Sequence, residues 1–195
     1  MTGFYLALEG VEGSGKTTVA ALLIEKAALM GREVTLVREP GGTPVGDQIR
    51  DLLLHSHDMV PWTEATLFAA ARAQLMADVV RPALASGHLV VSDRSYYSSL
   101  AYQGWARGLG IEEIRSLNEA VLGGTVPDLV VILDVDPIAG LKRQTSVDRI
   151  GGEGVEFQMA VSEGYHQLAG DPRVMVVDAR ISISEVVETI WRGLP

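Results

Sequence analysis

The sequence predicts an α/β fold, a three-layer, doubly wound parallel sheet of five strands. Three observations carry that expectation. Five short runs are apolar throughout rather than alternating, which is the pattern of parallel strands buried on both faces. Helical stretches lie between them, so the chain reads as successive βαβ units with right-handed crossovers. A glycine-rich loop joins the first strand to the first helix.

The strands are read at residues 4–8, 33–37, 89–92, 129–133 and 174–177. The first helix covers 16–30, has good helix formers and stops at Gly31. A long Ala/Leu-rich helix is expected at 63–85. Further helices are expected at 95–107, 111–122, 137–143, 156–169 and 182–192. Residues 142–154 are rich in charge and glycine and poor in apolar side chains, so they read as a short lid between two helices. No repeat or linker interrupts the chain, and one domain over 1–195 is expected, with the lid inside it.

At 195 residues the chain is long enough for one sizeable core. With 47% hydrophobic and 21% charged residues, it reads as globular rather than disordered. There is no cysteine, which excludes disulfides and thiolate metal sites and fits a cytoplasmic setting. No secretory pattern opens the chain, and no window approaches ~18 consecutive apolar residues, so no membrane association is expected.

Net charge is −9, from 25 acids and 16 bases, which argues against binding a nucleic-acid polymer. The bases are unevenly placed. Lys16, Arg38, Arg50, Arg72, Arg94, Lys142, Arg143 and Arg149 fall in or near the motifs below, which points to one anion-binding site.

Gly10-Val11-Glu12-Gly13-Ser14-Gly15-Lys16-Thr17 satisfies G-x-x-x-x-G-K-[ST], with a strand before it and a helix after it. Glycines let successive N–H groups turn into one concavity, and the helix start adds its positive dipole end. Lys16 can reach the β- and γ-phosphates, and the Thr17 hydroxyl can hold Mg²⁺. Thr18 follows as a helix residue at the same cradle. The loop therefore specifies ATP or GTP but not the acceptor. Val37-Arg-Glu-Pro-Gly-Gly-Thr43 follows the second strand and Asp93-Arg94 ends the third, both at the sheet edge where ligands bind. Asp93 can reach the Mg²⁺ shell, and Arg94 can clamp a phosphate. The four histidines, His55, His57, His88 and His166, have no ligand spacing.

The sequence closely resembles bacterial thymidylate kinases, of the P-loop nucleoside monophosphate kinase type. The resemblance rests on Glu9 to Thr18, Arg38-Glu-Pro-Gly-Gly-Thr43, Leu67-Phe-Ala-Ala-Ala-Arg-Ala-Gln74, Asp93-Arg94, Ser98-Ser-Leu-Ala-Tyr-Gln-Gly104, Pro127-Asp-Leu129 with Leu133-Asp-Val-Asp-Pro137, and Asp148-Arg-Ile150, in family order over almost the whole chain. It implies transfer of the γ-phosphate of ATP to dTMP, giving dTDP for dTTP synthesis, with Mg²⁺ and as a homodimer. It further implies that Phe68 stacks on thymine and Arg72 reaches the base's carbonyl edge. By the same likeness Ser99 and Gln103 lie near the base or sugar, and Tyr102 crowds the 2′ position. Arg50 and Arg94 fall near the acceptor phosphate, with Glu39 in the same pocket.

The residues expected to act in catalysis are Lys16, Arg94, Glu12 and a lid arginine. The loop has no arginine between Gly10 and Lys16, so that charge is sought in the lid. Arg149 is the foremost candidate there; Arg143 is expected with it on the ATP side. Two departures stand out. Ser95 follows Asp93-Arg94 where the family commonly has an aromatic residue, and acid-Arg-Ser also occurs in deoxynucleoside kinases, which makes these the alternative reading. Gly151-Gly152 stands where many relatives carry an acid.

Overall fold

Five parallel strands form the sheet, in the order β2-β3-β1-β4-β5. They are β1 (Phe4–Glu9), β2 (Val34–Arg38), β3 (Leu89–Asp93), β4 (Leu129–Asp134) and β5 (Val174–Asp178). The computed structural model describes residues 3–56, 58–143 and 148–195. His57 and residues 144–147 of the expected lid lie outside the described residues.

Successive side chains along the strands feed two cores. Tyr5, Ala7, Val90, Val130 and Ile132 belong to one. Leu6, Leu8, Val91, Val131 and Leu133 belong to the other. Both faces are covered, which is why the strand runs are apolar throughout.

All five strands end one residue beyond the apolar runs, on Glu9, Arg38, Asp93, Asp134 and Asp178. Hydropathy stops where the side chains meet the ligand edge, but pairing continues: Leu8 and Arg38 both sit opposite Asp93, and Asp134 opposite Asp178. The sheet thus presents a row of charges at its carboxyl edge.

The described helices are α1 (Lys16–Leu29), α2 (Pro44–His55), α3 (Pro61–Leu75), α4 (Arg81–Ala85), α5 (Tyr96–Ser99), α6 (Ile111–Leu122), α7 (Pro137–Leu141), α8 (Val155–Gln167) and α9 (Ile183–Arg192). α1 and α9 cover one face through Val19, Leu23, Val186 and Ile190. α3, α6 and α8 cover the other through Ala65, Leu75, Ile114, Leu122 and Val161.

Two expected helices change course. The run at 63–85 widens at Met76–Val80 into i→i+5 turns before α4. Pro82 lacks an N–H and its ring crowds the carbonyl one turn back, and a wider turn relieves both. The run at 95–107 leaves α5 and widens at Leu100–Ala106, where the Arg107 amide donates to Tyr102 O at 2.9 Å. The sequence reading assigns nothing to residues 44–55, where the structure has α2. Val45, Ile49, Leu52 and Leu53 do stand at helical spacing, a stripe the sequence reading passed over, although only Gly46 and Leu53 of that helix are buried. A second signal lies at the start: Thr43 Oγ1 accepts from the Gly46 amide at 3.0 Å, and Pro44 takes the first helical position.

The phosphate loop meets α7 backbone to backbone. A Cβ on Gly13 would stand 2.0 Å from Gly140 O, and one on Gly140 would stand 2.3 Å from Glu12 O. Gly140→Ala is therefore expected to cost about 1–3 kcal/mol and to lower Tm by roughly 2–10 °C. A thermal melt of that variant superimposing on the parent's would show the contact to be unimportant.

Candidate active site

A cavity of about 790 Å³ opens at the carboxyl edge of the sheet, beside β1 and β3. In a doubly wound sheet this is the switch point where ligands sit, because the crossover from β1 runs one way to β2 and that from β3 runs the other way to β4. Gly13, Gly15, Lys16, Thr17 and Thr18 line one end of it. Gly10, Gly13 and Gly15 all have positive φ, the backbone state that turns the loop's amides inward. Gly10, Val11 and Ser14 are not on the wall; they form the loop's own frame. Lys16 Nζ donates to Gly10 O and Val11 O at 3.0 Å each and to Ser14 Oγ at 3.3 Å. Burial, reinforced by the charge of Arg94, pushes the Lys16 ammonium down to about 8. Thr17 Oγ1 donates to Asp93 Oδ2 at 2.8 Å, so the loop helix and the end of β3 offer two oxygens at one place.

Arg94 is the one non-glycine residue at positive φ among the described residues, at 74°. That backbone turn swings its guanidinium over the loop. It pairs with Glu12 and donates to Gly10 O at 3.2 Å. Its carbon lies 5.1 Å from the centre of the Tyr102 ring. The Arg94 charge beside Glu12 holds that carboxyl below its usual range.

Glu9, fully buried, supports this turn from beneath. It accepts from the Ser95 amide and hydroxyl at 2.7 Å each, from the Ser98 amide at 3.2 Å and hydroxyl at 2.5 Å, and from Tyr165 OH at 2.8 Å. Ser95 thereby has a structural account: it donates to Glu9 and caps α5 through the Tyr97 amide. Sequence reasoning gave Glu9 no role, although a charged residue closing an apolar strand was the available signal.

The other end of the cavity is lined by Phe68, Ser99, Tyr102 and Gln103, with Glu39 and Arg50 between the two ends. Glu39 and Pro40 are joined by a cis bond, and Arg50 donates to Pro40 O at 2.8 Å. Arg72 is brought to the cluster but not onto the wall. It donates to Glu39 Oε2 at 2.6 Å, to Asn118, to Ser95 O at 3.3 Å and to Ser99 Oγ at 3.2 Å. Asn118, buried on α6, was missed in the sequence; its side chain looks like any helix polar residue until the fold closes.

The two arginines of the expected lid part company. Arg143 lines the cavity and donates to Gly13 O at 3.4 Å. Arg149, the foremost sequence candidate, is not on the wall. It donates to Leu53 O at 2.8 Å and pairs with Glu64 at 2.8 Å. The physical reason is Glu64, a buried acid on α3 that also accepts from Gln103 Nε2 at 2.8 Å and from Arg107. Burial favours the neutral form of Glu64, but the bonds from Arg107, Gln103 and Arg149 outweigh it and keep its carboxyl below the usual range.

With this geometry in view, comparison with known proteins is decisive. A family model described as thymidylate kinase matches residues 8–190. The chain belongs to the thymidylate kinase family. It is 42% identical to the thymidylate kinase of Halothermothrix orenii, over 98% of this chain and 96% of that one. It is 48% identical to the thymidylate kinase of Pelotomaculum thermopropionicum, over 92% and 87%. It is 45% identical to that of Bacillus velezensis, over 86% and 82%. The phosphate loop, the ends of β2 and β3 and Arg143 come together around one cavity.

The low proton affinity of Lys16 has a measurable result. A bound triphosphate supplies the negative partner that raises it again. Above about 8 the free side chain has lost its proton while the bound one keeps it, so binding takes up a proton. Calorimetry of a non-hydrolysable nucleoside triphosphate in buffers of different ionisation enthalpy should show uptake of roughly half a proton or more near pH 8.5. Absence of proton linkage near pH 8.5 would contradict the assignment.

Proposed function

We propose that this chain transfers the γ-phosphate of ATP to dTMP, giving ADP and dTDP. One observation carries this reading: Arg94 touches Gly10 of the phosphate loop on one side and the Tyr102 ring on the other. A single fixed cation between a triphosphate cradle and a second, ring-lined slot suits transfer between two phosphates. The match to the thymidylate kinase family supports the choice of acceptor.

The chemistry asks for positioning and charge rather than a base. An acceptor phosphate oxygen is already ionised at neutral pH; it attacks the γ-phosphorus, and the bond from that phosphorus to the β-phosphate oxygen breaks. Lys16, Arg94 and Arg143 would offset charge on the transferring group. Arg50 and Arg38, both on the wall, would hold the acceptor phosphate. Phe68 would stack on the base, with Ser99 and Gln103 at its edge and Arg72 behind, while Tyr102 would crowd the 2′ position. Glu12 would keep Arg94 aimed.

The paired oxygens of Thr17 and Asp93 fit a hard cation such as Mg²⁺. When bound there it would neutralise phosphate charge. The deoxynucleoside kinase alternative needs a free acid to take a proton from a sugar hydroxyl. Three of the four acids on the wall are held, Glu12 by Arg94, Asp93 by Thr17, and Asp148 by the amides of Ile150 and Gly151; Glu39 gives only one oxygen to Arg72, so it is the match to the thymidylate kinase family that disfavours this alternative.

Turnover with dTMP and with thymidine, at the same ATP and Mg²⁺, tests the reading: dTMP should be consumed and thymidine left, and the opposite result would sink it. In that assay Arg94→Ala should lower kcat at least ~100-fold. Arg143→Ala should lower it more than Arg149→Ala; the reverse order would return the catalytic part to Arg149.

We also propose that the chain works in the cytoplasm as one domain and as a homodimer. Val45, Leu52, Val60 and Trp62, exposed on and beside α2 and α3, offer an apolar surface for pairing. Light scattering should give twice the chain mass, and a monomer at assay concentration would remove the proposal.

A further inference from the structure

Gln103 is a side chain with two faces. Its amide can give a hydrogen bond through Nε2 or take one through Oε1, so alone it does not tell one base edge from another. Its surroundings remove that freedom. Gln103 is 1% exposed, lines the cavity, and sits against Glu64, which is also 1% exposed.

Glu64 takes four bonds. One oxygen accepts from Gln103 at 2.8 Å and from Arg107 Nε at 3.2 Å. The other accepts from Arg107 at 3.1 Å and pairs with Arg149 at 2.8 Å. Arg107 is itself pinned, over the Phe157 ring at 4.4 Å and against Glu153. Two guanidinium groups hold the acid ionised and stop it rotating. An ionised carboxyl has no proton to give, so Gln103 must turn its NH₂ group towards it. Only the Gln103 carbonyl then remains for the cavity, and no described residue donates to it.

We propose that Glu64 is a specificity-determining positioning residue, which fixes Gln103 as a hydrogen-bond acceptor so that the slot takes a pyrimidine with a ring N–H beside a carbonyl and refuses an amino-pyrimidine. The neighbouring group has the complementary sense. Ser99 Oγ already accepts from Arg72, which leaves its hydroxyl proton to give. A donor beside an acceptor matches a carbonyl beside an N–H. A cytosine ring offers the opposite pair, an amino group beside an unprotonated nitrogen, and mismatches both. The inference rests on the thymidylate reading above and adds to it the residue that sets the polarity.

The test uses dTMP and 5-methyl-dCMP, which share their shape and methyl group and differ in that one edge. For the unaltered chain, kcat/KM should favour dTMP by about 1000-fold or more, since a mismatched slot leaves buried polar groups unpaired. Glu64→Gln supplies a partner that can either give or take, and should reduce that preference at least ~10-fold. Glu64→Asp keeps an acceptor-only partner and should retain most of it. A merely structural role would lower both substrates together and leave the ratio unmoved, and that outcome overturns the proposal. If Glu64→Gln does not fold, Gln103→Leu carries the test, because loss of the fixed acceptor should reduce the same ratio and an unchanged ratio is again fatal. Failure of the unaltered chain to use dTMP would instead sink the thymidylate reading. Turnover of dTMP with an unmoved ratio would sink only this inference.

Discussion

The buried carboxyl of Glu9 is the constraint on which the site's geometry depends. It closes the central strand, where no solvent reaches it, and burying such a group without partners would cost several kcal/mol. The fold satisfies it by bringing α5 and α8 to it: two amides and two hydroxyls from Ser95 and Ser98, and the phenol of Tyr165. Ser95 follows Arg94 directly in the chain and Ser98 lies in the next turn, so the same bonds fix the turn that carries Arg94 over the phosphate loop. The polar core under the cavity and the charge inside it are one construction.

A net charge of −9 coexists with a cavity walled by Lys16, Arg38, Arg50, Arg94 and Arg143. These cations stay separate because acids or carbonyls are interleaved with them. Glu12 stands by Arg94, Pro40 O by Arg50, and Gly13 O by Arg143. The loop carbonyls that accept from Lys16 do the same, while burial and the charge of Arg94 lower its proton affinity. The site is thus built to be completed by anions, which replace weak neutral partners with charged ones.

Much of this was legible in the sequence, and the parts that were not share a physical cause. The five strands and the phosphate loop were readable from local pattern, whereas Phe68, Tyr102 and Gln103, which line the cavity, were singled out only through the family resemblance. Glu9, Glu64 and Asn118 were not, because their partners are far along the chain: Glu64 meets Gln103 39 positions away, and Asn118 meets Arg72 46 away. A buried polar side chain leaves no periodic trace. α2 was missed although its stripe at Val45, Ile49, Leu52 and Leu53 and its Thr43-Pro44 start are both local signals. Arg149 was placed by motif at the chemistry; the acid that claims it lies on another helix.

The contact between Gly13 and Gly140 has a consequence for how such a sequence can vary. Each position is closed to a side chain by main-chain atoms of the opposite segment, not by a removable side chain. No compensating replacement elsewhere can open the space, because there is nothing there to trim. Two residues far apart in the chain therefore act as one unit: a side chain at either would force the phosphate loop and α7 apart.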